Sequence, residues 1–248
     1  MSRVLIAGES WVTMSTHIKG VDSFTTHSYV EGVGPLRDAL TAAGHSTTHL
    51  PAHLVPQQFP DDAAALADYD LVVLSDIGAN SIQLAPRVID RSERGHDRLA
   101  NLAAWVADGG ALLMVGGYLS FTGFEGKAAF RQSPLAPSLP VELLPEDDRV
   151  ELPAGAAPSV LRQDHPAVGG AGAQWPHLLG YNRVRARAGA TTLAEIAGDP
   201  LLVVGEHGKG RTAAFTSDCS PHWAPPEFCE RWDGYGNLFD GLVRWLTA

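Results

Sequence analysis

The stretch "HDRLANLAAWVADGGALLMVGG", His96 to Gly117, holds the fold in miniature. Leu99, Leu102, Ala103 and Val106 recur at helical spacing and share one face. Asp97 suits the N-cap, because its carboxylate can accept a free amide of the first turn. Gly109 can adopt the left-handed conformation that ends a helix. "ALLMV" follows with no polar residue to mark an exposed face. A short run that is apolar on both sides and closed by glycine reads as a strand inside a parallel sheet.

The same rhythm runs backwards from this unit. "RVLIAG" (Arg3–Gly8) and "YDLVVLSD" (Tyr69–Asp76) are two further buried strands, and "STTHLP" is a weaker one. "GPLRDALTAAGH" lies between the first strand and the weak one as a helix. Pro35 suits its first turn, Leu36, Leu40 and Ala43 share a face, and Gly44 can close it. Strands alternating with helices predict a doubly wound, mostly parallel sheet with helices on both faces. The second half changes character. From Pro134 to Pro166 proline is dense and helical period is lost, so "LPVELLPEDDRVELPAG" reads as extended segments joined by turns. "TTLAEIAGDPLLVVGEHGKGRTAAFTSD" reads as two or three strands, with Gly208-Lys209-Gly210 as a hairpin turn. "GNLFDGLVRWLTA" closes the chain as a helix that buries Leu238, Leu242, Trp245 and Leu246. One α/β domain over 1–248, with an extra β-rich insertion in its second half, accommodates all of this.

Bulk properties narrow the function. The net charge is −10, with 18 Lys and Arg against 28 Asp and Glu. That balance argues against nucleic-acid binding, which needs basic surface to neutralise phosphates. No apolar run approaches the roughly 18 residues of a membrane helix. The opening "MSRVLIAGES" carries only a short apolar run, below the about 7–15 residues of a secretory core. Cys219 and Cys229 are too few for a disulfide framework or a thiolate metal site. A cytoplasmic protein with no membrane partner is expected.

In a parallel sheet, ligands bind where loops leave the carboxyl ends of the strands. Four such exits carry chemistry here. After the first strand comes "GESWVTMSTHIKGVDSFTTHSYVEG", read as a long loop with a binding role and carrying Glu9, Ser10, Trp11, His17, Lys19, Asp22 and Tyr29. After "YDLVVLSD" come Asp76, Asn80 and Ser81, which also suit an ordinary turn. After "ALLMV" comes Gly116-Gly117-Tyr118-Leu119-Ser120. This has the form of a nucleophile elbow, in which small neighbours allow a tight turn and backbone amides hold an anion. Tyr118 occupies the nucleophile position, and a phenol seldom forms an acyl intermediate. Ser120 is a weaker nucleophile candidate two residues on. After the last long strand comes "SDCSPHWAPPEF", where Asp218, Cys219, His222, Trp223 and Glu227 crowd together. Histidine is the side chain most readily tuned for proton transfer near neutral pH. Asn182 and Tyr181, in "LLGYNRV", lie within reach of the same edge.

Five stretches together carry a family resemblance: "GESWVTMSTHIKGVDSF", "YDLVVLSDIGANS", "GGYLSFTGFEGKAAF", "LPVELLPEDDRVE" and "SPHWAPPEF". Through them nearly the whole chain resembles the glutamine amidotransferase-like proteins, a branch of the class I amidotransferase superfamily. "GEHGKGRTAAFTSD" is also similar to the trehalose-utilisation (ThuA-like) branch. The resemblance implies a flavodoxin-like sheet. It also implies an elbow Cys, a His after a late strand and a Glu two residues beyond it. Here Tyr118 stands in place of the Cys. His222 fits the His, but Ala224 stands where the Glu would be, and the next acid is Glu227.

The leading expectation is therefore an amidotransferase-like protein without the Cys glutaminase route. It binds or transforms a small polar metabolite, sugar-like or carboxylate-like. His222, Asp218, Tyr118 and Ser120 are the candidate catalytic residues of a hydrolase or lyase. Glu9, Ser10, His17, Asp76, Asn80, Gly117, Asn182 and Trp223 are the candidate ligand contacts. In this reading His222 is the general acid or base, Asp218 orients it, and the Gly117–Ser120 amides cradle an anion. No cofactor is assigned, with a divalent metal at His17, Asp218 and His222 as the alternative. Two other functions stay open: a glutaminase or amidase that uses Cys219, and a noncatalytic binding or assembly module. A homo-oligomer is expected.

Overall fold

The computed structural model describes residues 1–248. Its strands are β1 (Arg3–Gly8), β2 (Ser10–Lys19), β3 (Asp22–Glu31), β4 (Ser46–Leu50), β5 (Leu71–Ser75), β6 (Ala111–Val115), β7 (Val141–Leu143), β8 (Arg149–Ala156), β9 (Ser159–Val160), β10 (Leu178–Asn182), β11 (Val184–Ala186), β12 (Thr191–Ile196), β13 (Asp199–His207) and β14 (Gly210–Phe215). Eight of them form one sheet in the order β4-β1-β5-β6-β14-β13-β12-β9. β4, β1, β5, β6 and β14 run parallel. β13, β12 and β9 extend that sheet by antiparallel pairing.

Helices cover both faces of the sheet, which explains the missing alternation in its strands. Val4 and Ile6 of β1 pack with Leu36, Leu40, Leu238 and Leu242. Leu5 and Ala7 of the same strand pack with Leu99, Leu102 and Val106 on the opposite face. The fold is thus the flavodoxin-like α/β class that the sequence predicts. The helix Arg98–Ala107 begins where Asp97 accepts the Ala100 amide at 2.9 Å. Helix Gly34–Ala42 has Pro35 in its first turn and buries Leu36 and Leu40, and Gly44 follows it at φ +87°. The final helix, Gly234–Leu246, buries Leu238, Phe239, Leu242, Val243 and Leu246. Trp245, expected among them, is only partly buried and lies under the Arg211 guanidinium.

The β-rich insertion follows β6. Three short 3₁₀ turns lead into two small antiparallel sheets, β7 with β11 and β8 with β10. These stand over the carboxyl end of β6 and supply Glu151, Asp148 and Asn182 to that edge.

One sequence reading fails here. The stretch after β1 is no loop. β2 and β3 pair in register from Ser10–Glu31 to Lys19–Asp22 as a ten-residue antiparallel ribbon, closed by the two-residue turn Gly20-Val21. Gly20 takes φ +67°, a conformation that hairpin turns of this length demand and glycine adopts freely. Every residue from Trp11 to Glu31 is exposed. Neither face is buried, so neither is uniformly apolar, and the in–out alternation that marks most strands is absent from the sequence.

Candidate functional site

The parallel strands place their exits side by side. The β1 and β5 ends touch so closely that a Cβ on Gly8 would stand 2.0 Å from the Ser75 carbonyl oxygen. Glu9 and Asp76, the residues after β1 and β5, adopt left-handed backbone at φ +49° and +43°. Such conformations cost a non-glycine residue about 1–3 kcal/mol and cluster at functional sites. Glu9 is buried, and the hydroxyls of Ser75 and Ser220 donate to its two carboxylate oxygens. Burial, aided by the nearby charge of Asp218, pushes its pKa up to about 7. Asp218 is buried as well and is pushed up to about 8, by burial first and the charge of Asp76 second. Asp76 is pushed up to about 6, again mainly by burial. Three carboxyls therefore converge at one sheet edge and hold their protons unusually well.

Above them stands His222, whose Nδ1 faces Asp218 Oδ2 at 3.3 Å. Asp218 is fixed in turn, since its Oδ1 accepts the amides of Cys219 and Ser220 at 2.8 and 3.3 Å. The His222 side chain is 40% exposed while that of Asp218 is 4% exposed, so the pair runs from solvent into the protein. The imidazole meets the Tyr118 ring edge-on at 4.6 Å and stacks on Trp223 at 5.2 Å. Tyr118 Oη and Trp223 Nε1 donate to the two oxygens of Glu151, at 3.1 and 3.0 Å. Arg149 lies over Tyr118 and Phe124, its charge tied to Asp147. The result is an aromatic wall beside an acid cluster. The larger clefts lie elsewhere, one of about 580 Å³ between the chain termini, one of about 450 Å³ between Pro35 and Trp232, and one of about 330 Å³ beside Arg187 and Trp245.

The family described as "Putative glutamine amidotransferase" matches residues 3–248. The chain belongs to this family. Two solved relatives are similar over almost its whole length. Cytoplasmic protein STM1381 of Salmonella typhimurium LT2 is 43% identical, with a TM-score of 0.95 over 99% of this chain and 100% of its own. Cytoplasmic protein STM3548 of Salmonella typhimurium is 41% identical, with a TM-score of 0.94 over 98% of both chains. Coverage so complete includes the β2–β3 ribbon. A ThuA-like protein of Parabacteroides merdae shares the fold at 13% identity, with a TM-score of 0.57 over 99% of this chain and 89% of its own. No curated protein matches.

The family's elbow is here a closed turn. No helix follows β6; the chain runs through Gly117–Ser120 into a 3₁₀ turn at Phe124–Gly126. Three of the four amides from Gly117 to Ser120 already have partners, so they form no anion cradle together. Gly117 donates to Asn182 Oδ1 at 3.0 Å and Leu119 donates to Asp76 Oδ1 at 2.7 Å. Gly117 must be glycine, because it sits at φ +141° and a Cβ there would stand 2.8 Å from that Asp76 oxygen. Asn182 is fully buried between Gly117 and Asp148, a strut and not a ligand contact. Ser120 is buried and accepts the Asp76 amide, which removes it as a nucleophile. Ser10 likewise is buried and accepts the Ala52 amide. Asn80 is exposed in the short helix Ala79–Gln83 and hydrogen-bonds to none of the cluster.

His17 does not join Asp218 and His222. It stands seven residues up the exposed ribbon from Ser10, about 23 Å of strand, and stacks on Phe24. Cys219 is fully buried, and its thiol is pushed well above the ordinary range by burial and by Glu9. The donor atoms closest to one another belong to Glu9, Asp218 and Cys219, within 4.8 Å. Glu9 and Asp218 already accept hydrogen bonds there and the thiol keeps its proton, so this trio is ill suited to a divalent ion.

The sequence brought forward Glu9, Asp76, Asp218, His222, Tyr118 and Trp223 correctly as neighbours. It missed Glu151, Ser75 and Ser220. Glu151 comes from the insertion, 33 residues after Tyr118, and only the β8–β10 pairing delivers it.

Proposed function

We propose that the carboxyl edge of the sheet binds a small, neutral, hydroxyl-rich metabolite of sugar-like chemistry and acts on it by proton transfer. The observation that carries this reading is the His222–Asp218 pair beside Tyr118, above carboxyls whose hold on a proton is strengthened by burial. His222 is the group in reach of solvent, and Asp218 orients it from below. Asp76, partly exposed with one oxygen engaged by the Leu119 amide, supplies a further acceptor, while Glu9 stays buried beneath with both oxygens taken by Ser75 and Ser220. Arg149, the cation beside Tyr118, is already paired with Asp147 and leaves no free charge for a carboxylate or phosphate, so a sugar fits better than a carboxylated ligand. Hydroxyls pair with carboxyl groups, and the partly exposed rings of Tyr118 and His222 suit the apolar side of a sugar ring, with Trp223 buried behind them as support.

The reaction is of hydrolase or lyase type and needs no covalent intermediate on the protein. Ordinary glutaminase chemistry has no support here, because the elbow residue is Tyr118 and Cys219 is buried with its proton held. A cytoplasmic location is part of the same proposal; no helix is long and apolar enough to cross a membrane.

The test is a calorimetric screen of the purified chain against neutral sugars, sugar acids and glutamine, followed by turnover assays on any ligand found. Neutral sugars should bind and sugar acids should bind more weakly. His222→Ala should keep the fold and lose turnover. Ammonia release from glutamine that vanishes in Cys219→Ser would refute the proposal, and so would preference for the acids.

A further inference from the structure

We infer that the β2–β3 ribbon is an arm by which this chain pairs with a second copy of itself. The ribbon leaves the body at Glu9 and returns at Gly32; beyond its root, where Ser10 is buried against Ala52 and the Tyr29 ring meets His53, nothing covers it. One face carries Val12, Met14, Ile18 and Tyr29, and the other carries Trp11, Phe24 and Val30. These side chains are 40–76% exposed, and Val21 at the tip is wholly so. At roughly 150–250 Å² for a large side chain, the arm presents roughly 800 Å² of such surface in all, about two thirds of it on the Val12 face. The largest apolar patch of an ordinary monomer is about 300–600 Å². A stable protein–protein contact buries about 800 Å² on each partner.

Three further features favour a partner. A two-stranded ribbon is marginally stable by itself in water. Here one of ten-residue strands stands free, and it recurs in a relative solved by experiment. Both its outer edges are unpaired over their whole length, and neither strand contains proline. Proteins normally blunt such edges with proline, charges or a covering element.

Charge selects the occupant. Between Trp11 and Val30 the only formal charges are Lys19 and Asp22, which cancel, so the whole net charge of −10 lies elsewhere. Two copies approaching body to body repel each other. Two copies approaching arm first do not. One lysine is too few to draw the arm to an anionic membrane. Identical arms meeting across a two-fold axis form a closed contact in which each buries the other's apolar face. The arm's two roots are tied together, with the Gly32 amide donating to the Glu9 carbonyl at 2.9 Å, so the contact also braces the rim of the candidate site.

Sedimentation velocity across a hundredfold range of concentration tests this. The wild type should sediment as an even multiple of 26.3 kDa. Val12→Glu combined with Ile18→Glu should weaken self-association at least a hundredfold. Ile89→Glu, at an apolar residue equally exposed on another element, should leave it unchanged. A wild type that stays monomeric overturns the inference, as does a double variant that associates like the wild type. Hydrogen exchange on the unmodified chain gives a second reading that needs no variant. Amides of Ser10–Glu31 should exchange slowly when concentrated and fast when diluted, and rates independent of concentration overturn the inference too.

Discussion

Replacing Asp218 with Asn tests the acid cluster most directly. Asn keeps the oxygen that accepts the Cys219 and Ser220 amides, so the turn should persist. What it removes is a proton equilibrium. In the folded chain Asp218 is pushed up to about 8, against an ordinary value of 3.8. Its folded-state pKa is raised, so the stability it contributes is full below about pH 4, falls as pH rises, and is gone above about pH 8. At about 1.36 kcal/mol for each unit, a shift borne by Asp218 alone would be worth about 6 kcal/mol. Asp76 and Glu9 share the same electrostatic field, so the protons leave as a set and about half that, ~3 kcal/mol, is assigned to Asp218. Urea unfolding from about pH 4.5 to 8.5 should show the wild type losing stability relative to Asp218→Asn by that amount. Comparison with the variant cancels the opposite slope expected from His165, whose pKa burial lowers. Parallel stability curves for the two proteins would refute the reasoning, because they would mean that Asp218 ionises in the folded chain as readily as in the unfolded one.

Other outcomes follow from single contacts. Gly117→Ala should destabilise the chain by about 1–3 kcal/mol in thermal or urea unfolding, through its positive φ and the collision with Asp76. Glu9→Ala leaves the Ser75 and Ser220 hydroxyls without their acceptor, at about 1–3 kcal/mol each, whereas Glu9→Gln should cost clearly less in the same assay. Cys219 should resist alkylation in the native protein and react only on unfolding, measured by mass spectrometry under iodoacetamide. Leu102→Ala, in the fully buried face of the Arg98–Ala107 helix, should cost about 2–5 kcal/mol in urea unfolding and leave ligand binding intact.

The sequence by itself determined the sheet, the helices on its faces and the four exits that carry chemistry. It could do so because burial on both faces of β1, β5 and β6 strips polar residues from them, and because helix period and caps are local. It also placed His222 four residues after Asp218, close enough for one turn to join them. Only the tertiary structure decided which groups face a ligand. Ser120, Ser10 and Asn182 have the right chemistry but are engaged by backbone amides that come from other parts of the chain. Glu151 arrives by a strand pairing that local sequence does not encode. The acids hold their protons because burial and mutual repulsion are properties of assembled neighbours. The β2–β3 ribbon was hidden for the opposite reason. A strand with no buried face has no alternation to read, and its two mixed faces show their purpose only when the body is seen to leave them uncovered.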